Sequence, residues 1–428
     1  MTSTDSKPTV YVIGASGRSA AESVRQAGFR AIVLDLYADR DSGDARDILP
    51  IDSHPDSIVP QLSKLKSGWV LLTGGMENYP DLVEELARYH RVLGPTAEQI
   101  KCFRDIEVLS DSISQSGQSD VLSFPETVTS LSDVGSEFGW LSKSRSGCGG
   151  FHIERMSELG ASAVAPNKVY FQREILGQSI GTVFSCEQSK VHLLGVTAAL
   201  TSEVHESLVG PQPVLPPMAY RGSYGVIEIS NLLRIAMCSW AHSITRKLHY
   251  TGIMQADWIV DENKAWLLEI NPRWTASMEV IEWAIGQNIF SIQASFDDKL
   301  KTWLSGSPAT RRATDWNLPK VDWNHCRDRL SGWDNGPILP PDSSGIFHRA
   351  ARVLAQPFPA KTLYKAIQYA STPIVVSREQ SDEMLLNRFN RFENRDIYVS
   401  GSAGWGDIPQ VGTDISAGHP IASFFRVQ

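Results

Sequence analysis

Cysteine is scarce and poorly placed for cross-linking. The 428 residues contain five, Cys102, Cys148, Cys186, Cys238 and Cys326, odd in number and never in a C-x-x-C pair. That excludes a disulfide framework and a thiolate zinc site, and suits a reducing compartment. Long apolar runs are also missing: none approaches the roughly 18 residues a bilayer-spanning helix needs. Met1 to Pro8 has no apolar stretch ahead of the first strand-like run. The expectation is therefore a cytoplasmic chain with no membrane partner. Excess positive charge is absent as well, since 40 Lys and Arg against 48 Asp and Glu leave a net charge of -8. Nucleic acid is excluded as the main partner, because phosphate-backbone binding runs on clustered basic residues. There is no biased tract and no internal repeat. What remains is 42% hydrophobic and 21% charged residues, a globular composition in a chain too long for one ordinary core.

The expected fold class is α/β, α+β overall. Residues 1–101 read as a small parallel α/β domain: Val10-Tyr-Val-Ile13, Ala31-Ile-Val-Leu-Asp35 and Gly68-Trp-Val-Leu-Leu72 are buried-strand runs separated by glycine turns and helical patterns. Residues 102–305 mix strands, such as Lys168 to Ile175 and Val191 to Thr197, with helices, such as Asn231 to Leu248. Residues 306–346, rich in Pro, Gly, Asp and Trp, read as an irregular connection. Residues 347–428 read as a β-rich module, with strand-like runs at Thr372 to Ser377 and Asp396 to Ser400.

The most informative stretch is a hairpin. Gly252 to Asp261 alternates small or polar with bulky apolar residues, Glu262-Asn263-Lys264 supplies turn chemistry, and Ala265 to Asn271 returns as an apolar strand. A loop of Glu262, Asn263 and Lys264 pairs Asp261 with Ala265, and counting back sets Asp257 opposite Glu269, with Asn271 on the same face. Opposed carboxylates repel. Placing them so makes sense if a hard cation sits between them, and Mg²⁺ takes a few protein oxygens and completes its octahedron with water and phosphate. A solvent-exposed polar face on an edge hairpin is the competing reading, and a one-residue slip would separate the pair.

Three other segments could carry chemistry. Trp140-Leu-Ser-Lys143 leads into Ser144-Arg-Ser-Gly-Cys-Gly-Gly150, a lysine on a strand followed by a glycine-rich loop whose backbone N–H groups could cradle phosphates. Phe171-Gln-Arg-Glu-Ile-Leu-Gly177 is a strand running into a glycine. Gly14-Ala-Ser-Gly-Arg-Ser19 with Asp35 has the outline of a dinucleotide site, but lacks the G-x-G-x-x-G spacing. An NAD(P)-dependent oxidoreductase is the rival from that segment.

Taken in order, Lys143 with its loop, Gln172-Arg-Glu-Ile-Leu-Gly177, and Asp257 with Leu268-Glu-Ile-Asn-Pro-Arg273 resemble the ATP-grasp superfamily of ATP-dependent ligases over residues 9–290. Thr73-Gly-Gly-Met-Glu-Asn-Tyr-Pro80, Asn271 to Val280, Asp407-Ile-Pro409 and Gly418-His-Pro-Ile421 further resemble its carboxylate-amine-ligase-like branch, predicted carboligases related to biotin carboxylase. Members of that branch accompany methanopterin-linked one-carbon pathways. The resemblance implies a small-molecule carboxylate and an amine as substrates, ATP as cofactor, and Mg²⁺, replaceable by Mn²⁺, on Asp257, Glu269 and Asn271. It implies Lys143 on the phosphates, Arg104 as a nucleotide contact, Ser146, Gly147, Gly149 and Gly150 as a flap over the phosphates, and Gln172, Arg173 and Ile175 around the adenine. Arg273, with Lys143, would face the transferred phosphoryl group. Ser179 stands where many members place a ribose-binding acid, so no ribose ligand is carried over. The biotin carboxylase likeness leaves carboxylation through carboxyphosphate as an alternative. Substrate selectivity is expected from the Gly14 and Thr73 to Asn78 loops and from Tyr220 to Ser223, with Trp274, Ser277 and Glu279 as further candidates.

Overall fold

The computed structural model describes residues 7–51, 53–135, 139–158, 168–187, 190–306, 362–389 and 402–427. The expected irregular connection and the strand-like run Asp396 to Ser400 lie outside them.

Near the N-terminus, β1 (Thr9–Gly14), β2 (Arg30–Asp35), β3 (Trp69–Leu72) and β4 (Arg91–Leu93) form a parallel sheet in the order β2-β1-β3-β4. Its central strands carry continuous buried apolar runs, Val10-Tyr-Val-Ile13 and Val70-Leu-Leu72, because both faces are covered. Val10, Val12, Val33 and Leu71 pack with the helix Arg18–Gln26 on one side, and Ile13, Leu34, Val70 and Leu72 pack with the helices Ile58–Leu62 and Pro80–Leu86 on the other. The loops after β1 and β3 leave the sheet at its carboxyl edge, where ligands meet open α/β sheets.

The following strands are β5 (Leu122–Ser123), β6 (Thr127–Val128), β7 (Trp140–Ser144), β8 (Ile153–Arg155), β9 (Val169–Arg173), β10 (Gln178–Glu187), β11 (Lys190–Ala199), β12 (Gly222–Gly225), β13 (Gly252–Val260) and β14 (Ala265–Asn271). Near the C-terminus come β15 (Leu363–Tyr369), β16 (Ile374–Val375), β17 (Ala403–Gly406), β18 (Asp414–Ile415) and β19 (Pro420–Val427). Strands β6, β9, β7 and β8 make a small antiparallel sheet, while β16 and β18 pair as a ribbon. A nine-stranded sheet runs β17-β19-β15-β12-β11-β10-β13-β14-β5. The C-terminal strands thus carry the expected β content, but as an extension of the sheet that holds the acidic hairpin. Pairing of β15 with β12 makes the join.

One face of the large sheet buries Phe184, Met254 and Trp258 against the helix Asn231–Lys247, with Trp240 and Trp258 meeting edge to face at 4.8 Å. Both indole N–H groups are satisfied, Trp240 donating to Ser112 Oγ at 2.9 Å and Trp258 to Thr182 Oγ1 at 2.9 Å, as fully buried tryptophans require. The opposite face meets the helix Ala276–Ile285 and the N-terminal sheet. That face carries the candidate site. Among the described residues no helix is long and apolar enough to cross a membrane.

Candidate active site

The acidic pair is brought together by two displacements that cancel. Asp261 does not pair with Ala265 as counted from a three-residue loop. Its Oδ1 accepts from the N–H groups of Asn263 and Lys264, both at 2.7 Å, so it belongs to the turn, and pairing begins at Val260 with Ala265. Side-chain capture of the backbone two and three residues on is a strong preference of aspartate. Left alone, that one-residue shift would face Asp257 with Leu268 and destroy the site. A bulge next to Trp258 absorbs the extra residue and restores Asp257 opposite Glu269 and Gln255 opposite Asn271.

Asn271 Nδ2 donates to Asp257 Oδ2 at 2.8 Å and to Glu269 Oε1 at 3.3 Å, and Gln255 Nε2 donates to Asp257 Oδ1 at 2.6 Å. Burial, and then the charge of Glu269, push the Asp257 carboxyl up to about 7. Among the described residues no three His, Cys, Asp or Glu side chains gather around one point. The donor set is instead two carboxylates and an amide, all hard oxygen groups once Asn271 turns its Oδ1 inward, which fits a cation that draws its other ligands from water and phosphate. Because the folded-state value of Asp257 lies above its ordinary 3.8, this group favours folding below that value and loses the contribution as pH rises through about 7. Asp257→Asn is therefore expected to stabilise the chelated protein at alkaline pH by about 1 kcal/mol or more. Thermal melts in EDTA should show the gain vanish towards pH 4.

Arg273 lies one strand-end beyond the pair. Its Nε and Nη2 donate to Glu77 Oε2 and Oε1 at 2.8 and 2.6 Å, and Nη2 also reaches Asn271 Oδ1 at 3.2 Å. Glu77 is 3% exposed. Burial would raise its carboxyl, but Arg273 overrides that and holds it below its ordinary range. Sequence reading named the Thr73 to Asn78 loop without singling out Glu77, since nothing local distinguishes it from a solvated acid. Arg104 meets the same group of residues from its helix, within 3.5 Å of Glu269 Oε2 and bonded to Asn78 Oδ1 at 3.2 Å and to the Arg145 carbonyl at 2.9 Å. A cavity of about 730 Å³ opens here, lined by Glu77, Asn78, Arg104, Thr127, Arg145 and Ser146 among others.

On the small sheet, Lys143 Nζ donates to Gln172 Oε1 at 3.0 Å, and Gln172 Nε2 donates to Thr127 Oγ1 at 3.0 Å. Lys143 is 7% exposed, and among the described residues no carboxylate lies within ion-pair distance of it. Arg173 stacks over Trp140 at 5.4 Å. Ile175 is half-buried on the connection from β9 to β10, beside Leu176, which is 79% exposed. The glycine-rich loop is docked at both ends: Gly147 O accepts from Arg104, Gly149 O accepts from Tyr220 N at 2.9 Å, and Cys148 Sγ lies 3.9 Å from Arg273 Nη2. A Cβ on Gly150 would sit 1.8 Å from the Met218 carbonyl oxygen, at a φ of +77°, so only glycine fits this approach.

Of the additional candidates, Trp274 is core. Ser277 Oγ accepts from Thr197 Oγ1 at 2.8 Å, Glu279 is held in ion pairs, and Tyr220 OH and Ser223 Oγ are bonded at 2.9 Å. The dinucleotide outline does not make a ribose site. Asp35 is 0% exposed and its oxygens accept from the Gly17 and Ala38 N–H groups. At Gly14 a Cβ would lie 2.2 Å from Thr73 Oγ1, so the neighbouring loop fills the space a pyrophosphate would need.

Residues 118–277 match the model of the ATP-grasp domain family. The chain carries an ATP-grasp domain. The match contains Lys143, Gln172, Asp257, Glu269, Asn271 and Arg273. A search of curated proteins by sequence finds no match. Similar solved structures include a pyruvate carboxylase from Rhizobium etli (TM-score 0.60, 13% identity, 98% of this chain and 36% of that one). They also include a biotin carboxylase from Campylobacter jejuni in complex with β,γ-ATP (0.58, 11%, 99% and 87%). A third is an L-amino acid ligase from Bacillus licheniformis (0.58, 11%, 99% and 94%). At these identities the likeness is one of fold. The chain spans 36% of the length of the pyruvate carboxylase.

Proposed function

We propose that the protein is an ATP-dependent ligase that activates a carboxylate as an acyl phosphate and joins it to an amine. The observation that carries this reading is Asp257 facing Glu269 across β13 and β14, with Asn271 beside both and Arg104 and Arg273 bonded into the same group. Two opposed carboxylates, with no cation among the described residues bonded to both, suit a divalent metal carrying phosphates. Mg²⁺ held by Asp257, Glu269 and Asn271 would neutralise phosphoryl oxygens. The fold neighbours, a biotin carboxylase in complex with β,γ-ATP and an L-amino acid ligase, are in keeping with such chemistry.

The chain's own residues then divide the work. Lys143, a buried ammonium without a carboxylate partner among the described residues, supplies charge to the phosphates, and Gln172 fixes its direction. Ile175 and Leu176 offer an apolar edge for the adenine. Arg273, gripped along its Nε edge by Glu77, stands over the transferred group. The substrate carboxylate attacks the γ-phosphate with loss of ADP, and the amine then displaces phosphate from the acyl carbon. No protein nucleophile is required, so catalysis rests on positioning and on fixed charge.

Release of ADP across pools of acids and amines tests the reading. Turnover should need both substrates, vanish in EDTA and return with Mg²⁺. Release that needs bicarbonate and no amine would replace ligation by carboxylation. Nicotinamide-nucleotide binding without ATP binding would end both. Lys143→Met is expected to raise the KM for ATP about tenfold or more, as for one charged hydrogen bond, with the fold retained by circular dichroism.

A further inference from the structure

Gln255 is a buried amide in an apolar position. Alternation along β13 puts it on the face of Ile253 and Asp257, and its neighbour on β10 is Val183. Ile253 and Val183 belong to the same apolar cluster as Trp274 and Met278. A leucine or methionine at 255 would extend that cluster. Gln255 is 6% exposed, and its amide is satisfied at one end: Nε2 donates to Asp257 Oδ1 at 2.6 Å, while Oε1 is buried with no hydrogen-bond partner among the described residues. A buried amide that serves the fold is normally bonded at both ends. Leaving the oxygen bare costs stability, so the role of this side chain lies in its one bond to the carboxylate.

The strand beside it leaves room for that bond. Gly181 pairs with both Asp257 and Thr197, and a Cβ on it would lie 2.9 Å from Gln255 Nε2, 3.0 Å from Ser277 Oγ and 3.2 Å from Thr197 Oγ1. A methyl group there would crowd the amide at the end that holds Asp257. Ser277 and Thr197, bonded to each other at 2.8 Å, fill the rest of the space over Gly181.

The bond also has a direction. Asn271 Nδ2 bridges Asp257 Oδ2 and Glu269 Oε1 at 2.8 and 3.3 Å, so Oδ2 is the Asp257 oxygen on the Glu269 side and Gln255 holds the other. Of the two amides on Asp257, Asn271 belongs to the proposed ligand set. Gln255 does not, so it keeps its hold whichever way Asn271 turns. An amide also adds no charge, whereas a lysine or arginine in its place would neutralise the carboxylate that a cation needs.

We propose that Gln255 is the positioning residue of the acidic hairpin, fixing Asp257 Oδ1 so that Oδ2 is presented beside Glu269 to a divalent cation. The assignment rests on the metal site of the ligase reading. Mg²⁺ demands near-ideal geometry from its few protein ligands, and a hydrogen bond to a ligating carboxylate is what orients it.

Calorimetry of ADP binding to the full chain, in Mg²⁺ and in EDTA, separates the metal from the nucleotide. The parent should bind ADP more tightly with Mg²⁺. Gln255→Met and Gln255→Leu should lose about tenfold or more of that tightening, as happens when outer partners of metal ligands are removed, and bind ADP in EDTA as the parent does. Their melting temperatures in EDTA should equal or exceed the parent's, because a half-satisfied amide gives way to apolar surface. In turnover the half-saturating Mg²⁺ should rise by a similar factor. Full Mg²⁺-dependent tightening in either folded variant would overturn the assignment alone. A clear fall in melting temperature in EDTA in both would overturn it too, since it marks an amide that supports the fold. A parent whose ADP affinity ignores Mg²⁺ would instead remove the metal site itself, a failure of the ligase reading that the variants cannot imitate.

Discussion

Glu269→Gln is expected to lower substrate-dependent ADP release by about 10²-fold or more, the usual size for loss of one preorganised charge-stabilising group. The side chain is 41% exposed, and among the described residues it forms an ion pair with Arg104 at 3.5 Å and a hydrogen bond with Asn271 at 3.3 Å, so folding should not depend on it. Relieving the repulsion with Asp257 favours the folded state slightly. The expected pattern is an unchanged or raised melting temperature with turnover almost gone, and a weakened response to added Mg²⁺. Near-parental ADP production from a folded Glu269→Gln variant would remove the metal assignment, and the proposed reaction with it.

Arg273→Ala should fail in both respects. Turnover should fall at least as far, because the guanidinium is bonded both to Asn271 on the acidic hairpin and, through two hydrogen bonds, to Glu77 in the loop after β3. Stability should fall by about 3–5 kcal/mol, the cost of leaving one member of a buried ion pair uncompensated, since the Glu77 side chain is 2% exposed. The Glu77→Gln/Arg273→Gln double variant should recover most of that stability and none of the activity, a non-additivity expected for contacting residues. The pH dependence has a definite sign. Arg273 holds Glu77 below its ordinary 4.5, so the pair's contribution is present above that value and is lost as pH falls through the depressed one. Acid melts should therefore separate parent from double variant only below about pH 4.5. Parental stability in Arg273→Ala would show that Glu77 finds another partner.

The strands of the acidic hairpin are legible from residue order because their pattern is local. Alternation marked β13 and β14, and a polar turn marked their junction. Even there the count was off by one: Asp261 was assigned to the ladder, and the bulge that compensates was invisible, since a single extra residue changes no composition and no period. Lys143 and Gln172 were named from separate strands, and their contact follows from the pairing of β7 with β9. Glu77 and Gln255 escaped notice for a common reason. Each is an ordinary polar residue in a loop or strand, and its distinction is burial, which depends on segments far away in the chain.

Residue order by itself determined the alternating strands, the glycine that lets the loop meet Met218, and the hard-oxygen character of the hairpin, because propensity, turn chemistry and ligand type are properties of neighbouring residues. Tertiary structure alone decided that Glu77 grips Arg273, that Asp35 serves the backbone, and that strands near the C-terminus extend the sheet that holds Asp257. Burial and charge pairing are sums over whatever the folded chain brings within a few ångströms, and no local pattern encodes that sum.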